Sequence, residues 1–207
     1  MKILVTAGPT RERIDAVRFI TNASSGWMGC AVAEAAMAAG HEVTLLLGPC
    51  PSQPPDGCRL VRFVSVADLA AAMEEHFPAC DALVMAAAVG DFTVSAPAGG
   101  KIKRSDGPVT LRLEPAADLL AGVARRKRPE QMIVAFAVEQ GRRDAIESAA
   151  RSKLADKGAE YIVVNTPAAM GSPTSQACIL SRCDYALPWA VRPKEELAGR
   201  IVALLTR

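Results

Sequence analysis

The feature that most constrains this chain is a series of short runs that stay apolar instead of alternating with polar residues. "KILVTA" opens the chain, and "HEVTLLLG", "DALVMAAAV", "MIVAFAV" and "EYIVVN" follow. A strand with one wet face alternates apolar and polar residues, so one that reads apolar throughout is covered on both sides. Between the runs lie helical segments: residues 27 to 39 ending at Gly40, Val66 to His76, Asp118 to Lys127, Asp144 to Lys157 ended by Gly158, and Pro193 to Leu205. Strands alternating with helices require crossover connections. The expected fold is therefore α/β and Rossmann-like, a mostly parallel sheet with helices on both faces. "RLVRFV" supplies a further short strand. "VTLRLE" alternates like a half-exposed strand and "ACILSRCDYALPW" reads as a hairpin, so both are expected as antiparallel additions. With no internal repeat and no linker, residues 1–207 are expected to form a single domain.

Composition narrows the function classes. Half of the residues are hydrophobic and only 4% are aromatic, which suits an aliphatic, two-sided core. A formal net charge of +2 gives no case for nucleic acid or a membrane surface as partner. "MKILVTAG" turns polar too soon for a secretory signal, and no apolar run reaches the length of about 18 residues that a span needs. A cytoplasmic location is expected. Cys30, Cys50, Cys58, Cys80, Cys178 and Cys183 form no C-x-x-C pair and read as reduced thiols, mostly packing residues. His41 and His76 lack ligand spacing, so neither a zinc site nor a histidine-based nucleophile mechanism is expected, and no metal-ligating residue is assigned.

In a parallel sheet, ligands sit beyond the carboxyl ends of the strands. That selects the loops at residues 7 to 26, 87 to 104, 114 to 118 and 136 to 142. In the first, "FITNASSGWMG" runs into an alanine-rich helix. Ser24, Ser25, Gly26 and Gly29 at a helix start suit either phosphate binding on free N–H groups or a plain serine cap. Arg11 and Arg18 could clamp an anion, or Arg18 could simply pair with Asp15. Asp91, at the end of a buried strand, suits a ribose, a base amine or a turn. Lys101 and Lys103 point to opposite faces if extended. Lys153 and Lys157 share a helix face, where they complement the helix dipole or hold a polyphosphate. Phe136 could stack on a base or belong to the core.

Taken together, "VTAGPTRERIDAVRFITNASSGWMG", "AAAVGDF", "GKIKR", "IVAFAVE" and "SKLADKGAEYIVVN" resemble the phosphopantothenoylcysteine synthetase, or phosphopantothenate–cysteine ligase, family across nearly the whole chain. In bacteria this is often the C-terminal half of a bifunctional coenzyme A biosynthesis flavoprotein. The resemblance implies ligation of 4′-phosphopantothenate to cysteine through an acyl-cytidylate, with CTP as co-substrate, Mg2+ shielding the triphosphate, and a homodimer. No flavin is expected, because the decarboxylase half has no counterpart here. By the same resemblance, Asn22 would hold the acyl-nucleotide through its amide and Lys101 would neutralise the reacting phosphoryl group. Ser24, Ser25, Gly26 and Gly29 would offer donors to phosphates, and Ala86, Ala87 and Asp91 would face the nucleotide. Phe136, Lys153 and Lys157 would complete the pocket, and residues 92 to 104 would reach the partner subunit.

The chain departs from the family pattern at several points. Trp27 stands where the family usually has Lys, and "AAD" at residues 116 to 118 replaces Asn-Pro-Asp or Thr-Pro-Asp. "MGSPTSQ" lacks a late Asp, and Asn165 is followed by Thr166 instead of Asp. A divergent paralogue that binds a nucleotide without making this product is therefore the alternative, along with a nucleotide-binding regulatory module. A Rossmann NAD(P) oxidoreductase is less expected than the paralogue, for the chain has neither G-x-G-x-x-G nor Tyr-x-x-x-Lys.

Overall fold

A computed structural model describes residues 1–206; Arg207, the last residue of the expected domain, lies outside the described residues. The strands are β1 (Lys2–Ala7), β2 (Arg11–Arg13), β3 (Phe19–Thr21), β4 (Glu42–Leu47), β5 (Arg59–Arg62), β6 (Ala82–Met85), β7 (Phe92–Val94), β8 (Leu113–Pro115), β9 (Met132–Val138), β10 (Tyr161–Asn165), β11 (Thr174–Ser181) and β12 (Tyr185–Pro193). The helices are α1 (Trp27–Ala38), α2 (Val66–His76), α3 (Leu119–Ala124), α4 (Arg143–Asp156) and α5 (Lys194–Leu205).

Eight strands form one sheet in the order β12-β11-β10-β9-β6-β1-β4-β5. The pairs from β5 across to β10 are parallel, and β11 and β12 join antiparallel at one edge. The period-2 geometry of a strand sorts the apolar runs into two cores. Ile3, Val5, Leu45 and Val84 face α1 and α5, while Leu4, Leu46, Leu83 and Ile133 face α2, α3 and α4. The expected α/β, two-sided architecture is what the chain adopts. The six cysteines are free thiols, with Cys30, Cys80 and Cys178 buried. Among the described residues, no helix is long and apolar enough to cross a membrane.

The chain runs β1-β4-β5 on one side of β1 and then crosses to β6 on the other. The loops after β1 and β6 therefore diverge, leaving the crevice where such sheets bind ligands. Two small antiparallel sheets overhang this end, β2 with β3 and β7 with β8. The second corrects an expectation. Of "VTLRLE", only Leu113 and Glu114 enter a strand, and that strand pairs with Phe92–Val94 outside the main sheet. Its alternation belongs to a two-stranded flap, on one face of which Phe92 and Leu113 are 53% and 41% exposed. The final hairpin is present and runs longer than its sequence motif, to Pro193.

Candidate functional site

The crevice is built by stitching the loop after β1 to the loop after β6. Ala88 N–H donates to Gly8 O at 3.0 Å and Thr10 N–H to Ala88 O at 3.2 Å. Thr6 Oγ1 accepts from Ala87 N–H at 3.0 Å, and Thr10 Oγ1 accepts from Gly90 N–H at 2.9 Å. Asn22 closes the seam, its Nδ2 donating to Ala88 O and Val89 O, both at 3.1 Å. Two carbonyls can be met only by the amide NH2, so the orientation of Asn22 is fixed by chemistry. Both donors are spent, which leaves Oδ1 as an acceptor on the wall of a cleft of about 480 Å³.

The first turn of α1 forms the next wall. Gly26, not a serine, occupies the N-cap, at φ 78° and without a side-chain cap. The left-handed backbone there favours glycine, and a Cβ on Gly26 would lie 2.4 Å from Cys50 Sγ. Ser24 Oγ and Ser25 Oγ accept only long contacts of 3.4 Å, from Gly26 N–H and Trp27 N–H. The plain serine cap is therefore not how this helix begins. The intrahelical ladder starts with Cys30 N–H on Gly26 O at 3.1 Å, so the N–H groups of Trp27, Met28 and Gly29 precede it. Gly29 also lets α1 lie on β1, because a Cβ there would meet Ala7 Cβ at 2.5 Å and Thr6 O at 2.8 Å.

Facing this turn across the cleft are β9, α3 and α4. Phe136 and Asn165 lie near the carboxyl ends of β9 and β10. Lys153 pairs with Glu139, and Lys157 lies 3.4 Å from Asp118. Asp118 also caps α3, accepting from Ala121 N–H at 3.0 Å. Asp91 is exposed at the rim.

Of the residues singled out from sequence, Asn22, Ser24, Ser25, Gly26, Gly29, Ala86, Ala87, Asp91, Phe136, Lys153 and Lys157 line this one cleft. Lys101 does not; it is exposed on a segment fastened elsewhere. Next to it, Ile102 N–H donates to Asp15 Oδ2 at 3.2 Å and Arg18 donates to Ile102 O at 3.3 Å. Buried Asp15 also accepts from Val17 N–H and Arg18 N–H, both at 2.7 Å, and pairs with Arg18 Nη1 at 2.8 Å. These donors, the Val17 amide foremost, hold its carboxyl below the ordinary 3.8. Arg18 is thus the partner of Asp15, and Arg11 lies over the Phe19 ring at 4.3 Å; neither lines the cleft.

Sequence reasoning assigned no site role to Asn165 or Lys194, both of which line the cleft. Asn165 Oδ1 is buried with no hydrogen-bond partner. Lys194 is 4% exposed, and desolvation holds its ammonium pKa below the usual lysine value. A lysine in the first turn of an amphipathic helix reads as solvated, so only the tertiary structure reveals it. Among the described residues no group of three or more His, Cys, Asp or Glu is placed to hold a metal ion.

Comparison with known proteins adds three findings. The family model described as DNA/pantothenate metabolism flavoprotein C-terminal domain matches residues 1–207. Among curated relatives, the chain is 42% identical over 173 residues to the coenzyme A biosynthesis bifunctional protein CoaBC of Bacillus subtilis, covering 82% of this chain and 41% of that one. It is 38% identical over 206 residues to a prokaryotic protein named cysteine/cysteine sulfinic acid decarboxylase, covering 97% of this chain and 56% of that one. The chain thus spans about half the length of these curated relatives. Among solved structures, the C-terminal domain of a CoaBC protein superposes with a TM-score of 0.81 at 32% identity, over 99% of this chain and 93% of that one.

Proposed function

The chain belongs to the DNA/pantothenate metabolism flavoprotein C-terminal domain family, and on that premise we propose that it is a phosphopantothenate–cysteine ligase of coenzyme A biosynthesis that uses CTP. The observation that carries this reading is convergence. Every residue to which the resemblance assigns a contact with the nucleotide or the intermediate, Lys101 excepted, lies on one cleft at the carboxyl ends of parallel strands. No side chain in that cleft is arranged as a nucleophile with a base, and the proposed chemistry requires none.

In the first step a carboxylate oxygen of 4′-phosphopantothenate attacks the α-phosphorus of CTP, the bond to the bridging oxygen breaks, and pyrophosphate leaves. In the second the cysteine amine attacks the acyl carbon, an amide forms, and CMP leaves with the former carboxylate oxygen. Positioning and charge neutralisation carry both steps. The N–H groups at the start of α1 suit the phosphates. Lys153 and Lys157 are half-exposed and paired with carboxylates, so they can exchange those partners for phosphate oxygens. Phe136 offers a ring to the base, and Asp91 offers acceptors to the ribose or base at the rim. With both amide donors spent, Asn22 offers Oδ1 to an N–H or O–H of the bound intermediate. Magnesium, when bound with the triphosphate, would supply shielding of its charge; Asp91 and Asp118 are the carboxylates of the cleft that would lie nearest such a complex.

The same reading makes the protein a homodimer, with Lys101 serving the partner's cleft. What supports this is an exposed segment bearing Lys101, flanked by flap residues Phe92 and Leu113, 53% and 41% exposed, and by Val109 of the connecting loop, 52% exposed. Light scattering of the purified chain measures that state.

The activity is tested by supplying 4′-phosphopantothenate, cysteine, magnesium and each nucleoside triphosphate in turn while following pyrophosphate. Release with CTP that depends on phosphopantothenate is expected. No release with any triphosphate sinks the ligase, and release with ATP alone overturns the assignment of the base. A parallel incubation with cysteine alone, following carbon dioxide, tests the activity for which the second curated relative is named.

A further inference from the structure

Lys194 is the first residue of α5 and sits where a lysine is doubly disfavoured. It is 4% exposed, where an ammonium is costly, and the neighbouring Glu195 carboxylate offsets only part of that cost. It also lies at the positive end of a helix dipole. Among the described residues no carboxylate lies within 4.0 Å of its Nζ, whereas the cleft's other two lysines each have one. Among the described residues Nζ makes one hydrogen bond, to Ala169 O at 2.9 Å. An ammonium has three donors, so two stay unspent.

The surroundings hold that charge in place. Nζ lies 5.5 Å from the centroid of the Trp27 ring, within the range of a cation–π contact. Trp27 is itself fixed by α5, its Nε1 donating to Glu195 Oε1 at 3.2 Å. Trp27 opens α1, and Lys194 lines the same cleft as Trp27, Met28 and Gly29 of that helix's first turn. Position 27 is not basic, yet a cation is delivered beside it from the far end of the chain.

We propose that Lys194 is an anion-binding residue of the cleft, gripping the phosphate chain of a nucleotide together with the first turn of α1. This rests on the reading that the cleft takes a nucleoside triphosphate. The bland role for Lys194 is to tie the turn at Ala169 to α5. The two roles differ in what they need, because a tie requires only a donor and anion binding requires the charge. Lys194→Gln keeps a donor without charge, Lys194→Arg keeps both, and Lys194→Met keeps neither.

The test measures binding of inorganic tripolyphosphate and of CTP by calorimetry at fixed ionic strength, with thermal melts to establish that each variant is folded. The wild-type protein and Lys194→Arg should bind tripolyphosphate alike, while Lys194→Gln and Lys194→Met should bind about tenfold or more weakly. Wild-type affinity in Lys194→Gln overturns the proposal, as does a wild-type protein that binds neither probe. If Lys194→Met fails to fold, the Gln and Arg variants still decide. The pyrophosphate assay separates this inference from the ligase reading. Turnover with unchanged affinity in Lys194→Gln leaves the ligase standing and removes Lys194. Tripolyphosphate binding that depends on Lys194, without turnover on any triphosphate, does the reverse.

Discussion

Asn22→Asp is the substitution that best exposes the logic of the seam. Asn22 spends both amide protons on Ala88 O and Val89 O, each at 3.1 Å. An ionised aspartate has no proton to give and turns a negative oxygen toward two carbonyls. A hydrogen bond of this kind is worth about 0.5–1.5 kcal/mol net, so losing two costs about 2 kcal/mol before repulsion is counted. For a chain of this size each kcal/mol moves the melting midpoint by about 2–4 °C, which gives an expected fall of roughly 4–8 °C. Asn22→Ala is the reference, because it loses the same bonds without the repulsion. Thermal melts followed by circular dichroism should rank wild type above Asn22→Ala, and Asn22→Ala above Asn22→Asp. The gap between the two variants should narrow as pH falls. Repulsion from the carbonyls raises the folded pKa of the new carboxyl, so the folded state regains a donor at low pH and loses it as pH rises. Amide product should fall more than pyrophosphate release in both variants. If Asn22→Asp melts with the wild type at neutral pH, the assigned amide orientation is wrong, and with it the claim that Oδ1 faces the substrate.

Other consequences follow from single contacts. Gly29→Ala places a methyl 2.5 Å from Ala7 Cβ and 2.8 Å from Thr6 O; overpacking of this kind costs about 1–3 kcal/mol. A urea midpoint equal to wild type would show that α1 does not lie on β1 as closely as described. Lys153→Met and Lys157→Met break half-exposed ion pairs, so stability should move by no more than about 1 kcal/mol. Nucleotide affinity should nevertheless drop about tenfold in each if a phosphate contact is lost; unchanged affinity would reduce both lysines to surface pairs. Asp15 titrates below its ordinary 3.8, so it stabilises the fold above that value, and the stabilisation is lost as pH falls through the lower folded value. Asp15→Asn should therefore loosen the segment it holds even at neutral pH. Trypsin should cut after exposed Lys101 faster than in wild type, and an unchanged cleavage rate would refute that anchoring role.

The sequence discloses most of the architecture because the fold's main demand, burial of both sheet faces, is written locally as uninterrupted apolar runs. The sorting of Leu4 and Leu46 to one core and of Val5 and Leu45 to the other needs only the two-residue period of a strand. What local pattern misreads is any segment whose partner lies outside the sheet. The alternation of "VTLRLE" is real, but it serves a flap with Phe92–Val94. At the start of α1, local pattern places the first residue but leaves the cap open. Ser24 and Ser25 are good cap residues by type, yet Gly26 takes the cap because Cys50, brought in by the loop after β4, fills the space of a Cβ.

Legibility of the candidate site follows the same physical line. Residues at or just beyond the carboxyl ends of parallel strands can be found from sequence, since strand ends are visible and topology brings them together; Phe136 in β9 and Ala86 and Ala87 after β6 are of this kind, whereas Asp91, expected at the end of that strand, lies in the loop six residues past it. Lys101 shows the limit, because its position depends on what Asp15 and Arg18 hold and not on a strand end. Lys194 lies beyond it. The charge pattern around Pro193 is that of an ordinary solvated helix start, and nothing local distinguishes an ammonium in water from one packed beside Trp27 on the cleft wall. The distinction comes from packing α5 on α1, which joins the last helix to the first. Trp27 then reads as more than the absence of a lysine in its motif. Its ring faces the Lys194 ammonium, and its indole N–H meets Glu195 on the next residue of α5. Both contacts tie the start of α1 to the start of α5. A substitution at position 27 should therefore be judged by what happens to Lys194. A basic residue placed there would put a second cation beside the buried ammonium; the two repel in the free protein and a shared anion relieves that repulsion, so Trp27→Lys should lower the wild-type melting point yet strengthen tripolyphosphate binding, more in the wild-type background than in Lys194→Gln. Equal effects in the two backgrounds would mean that the two positions do not share one anion.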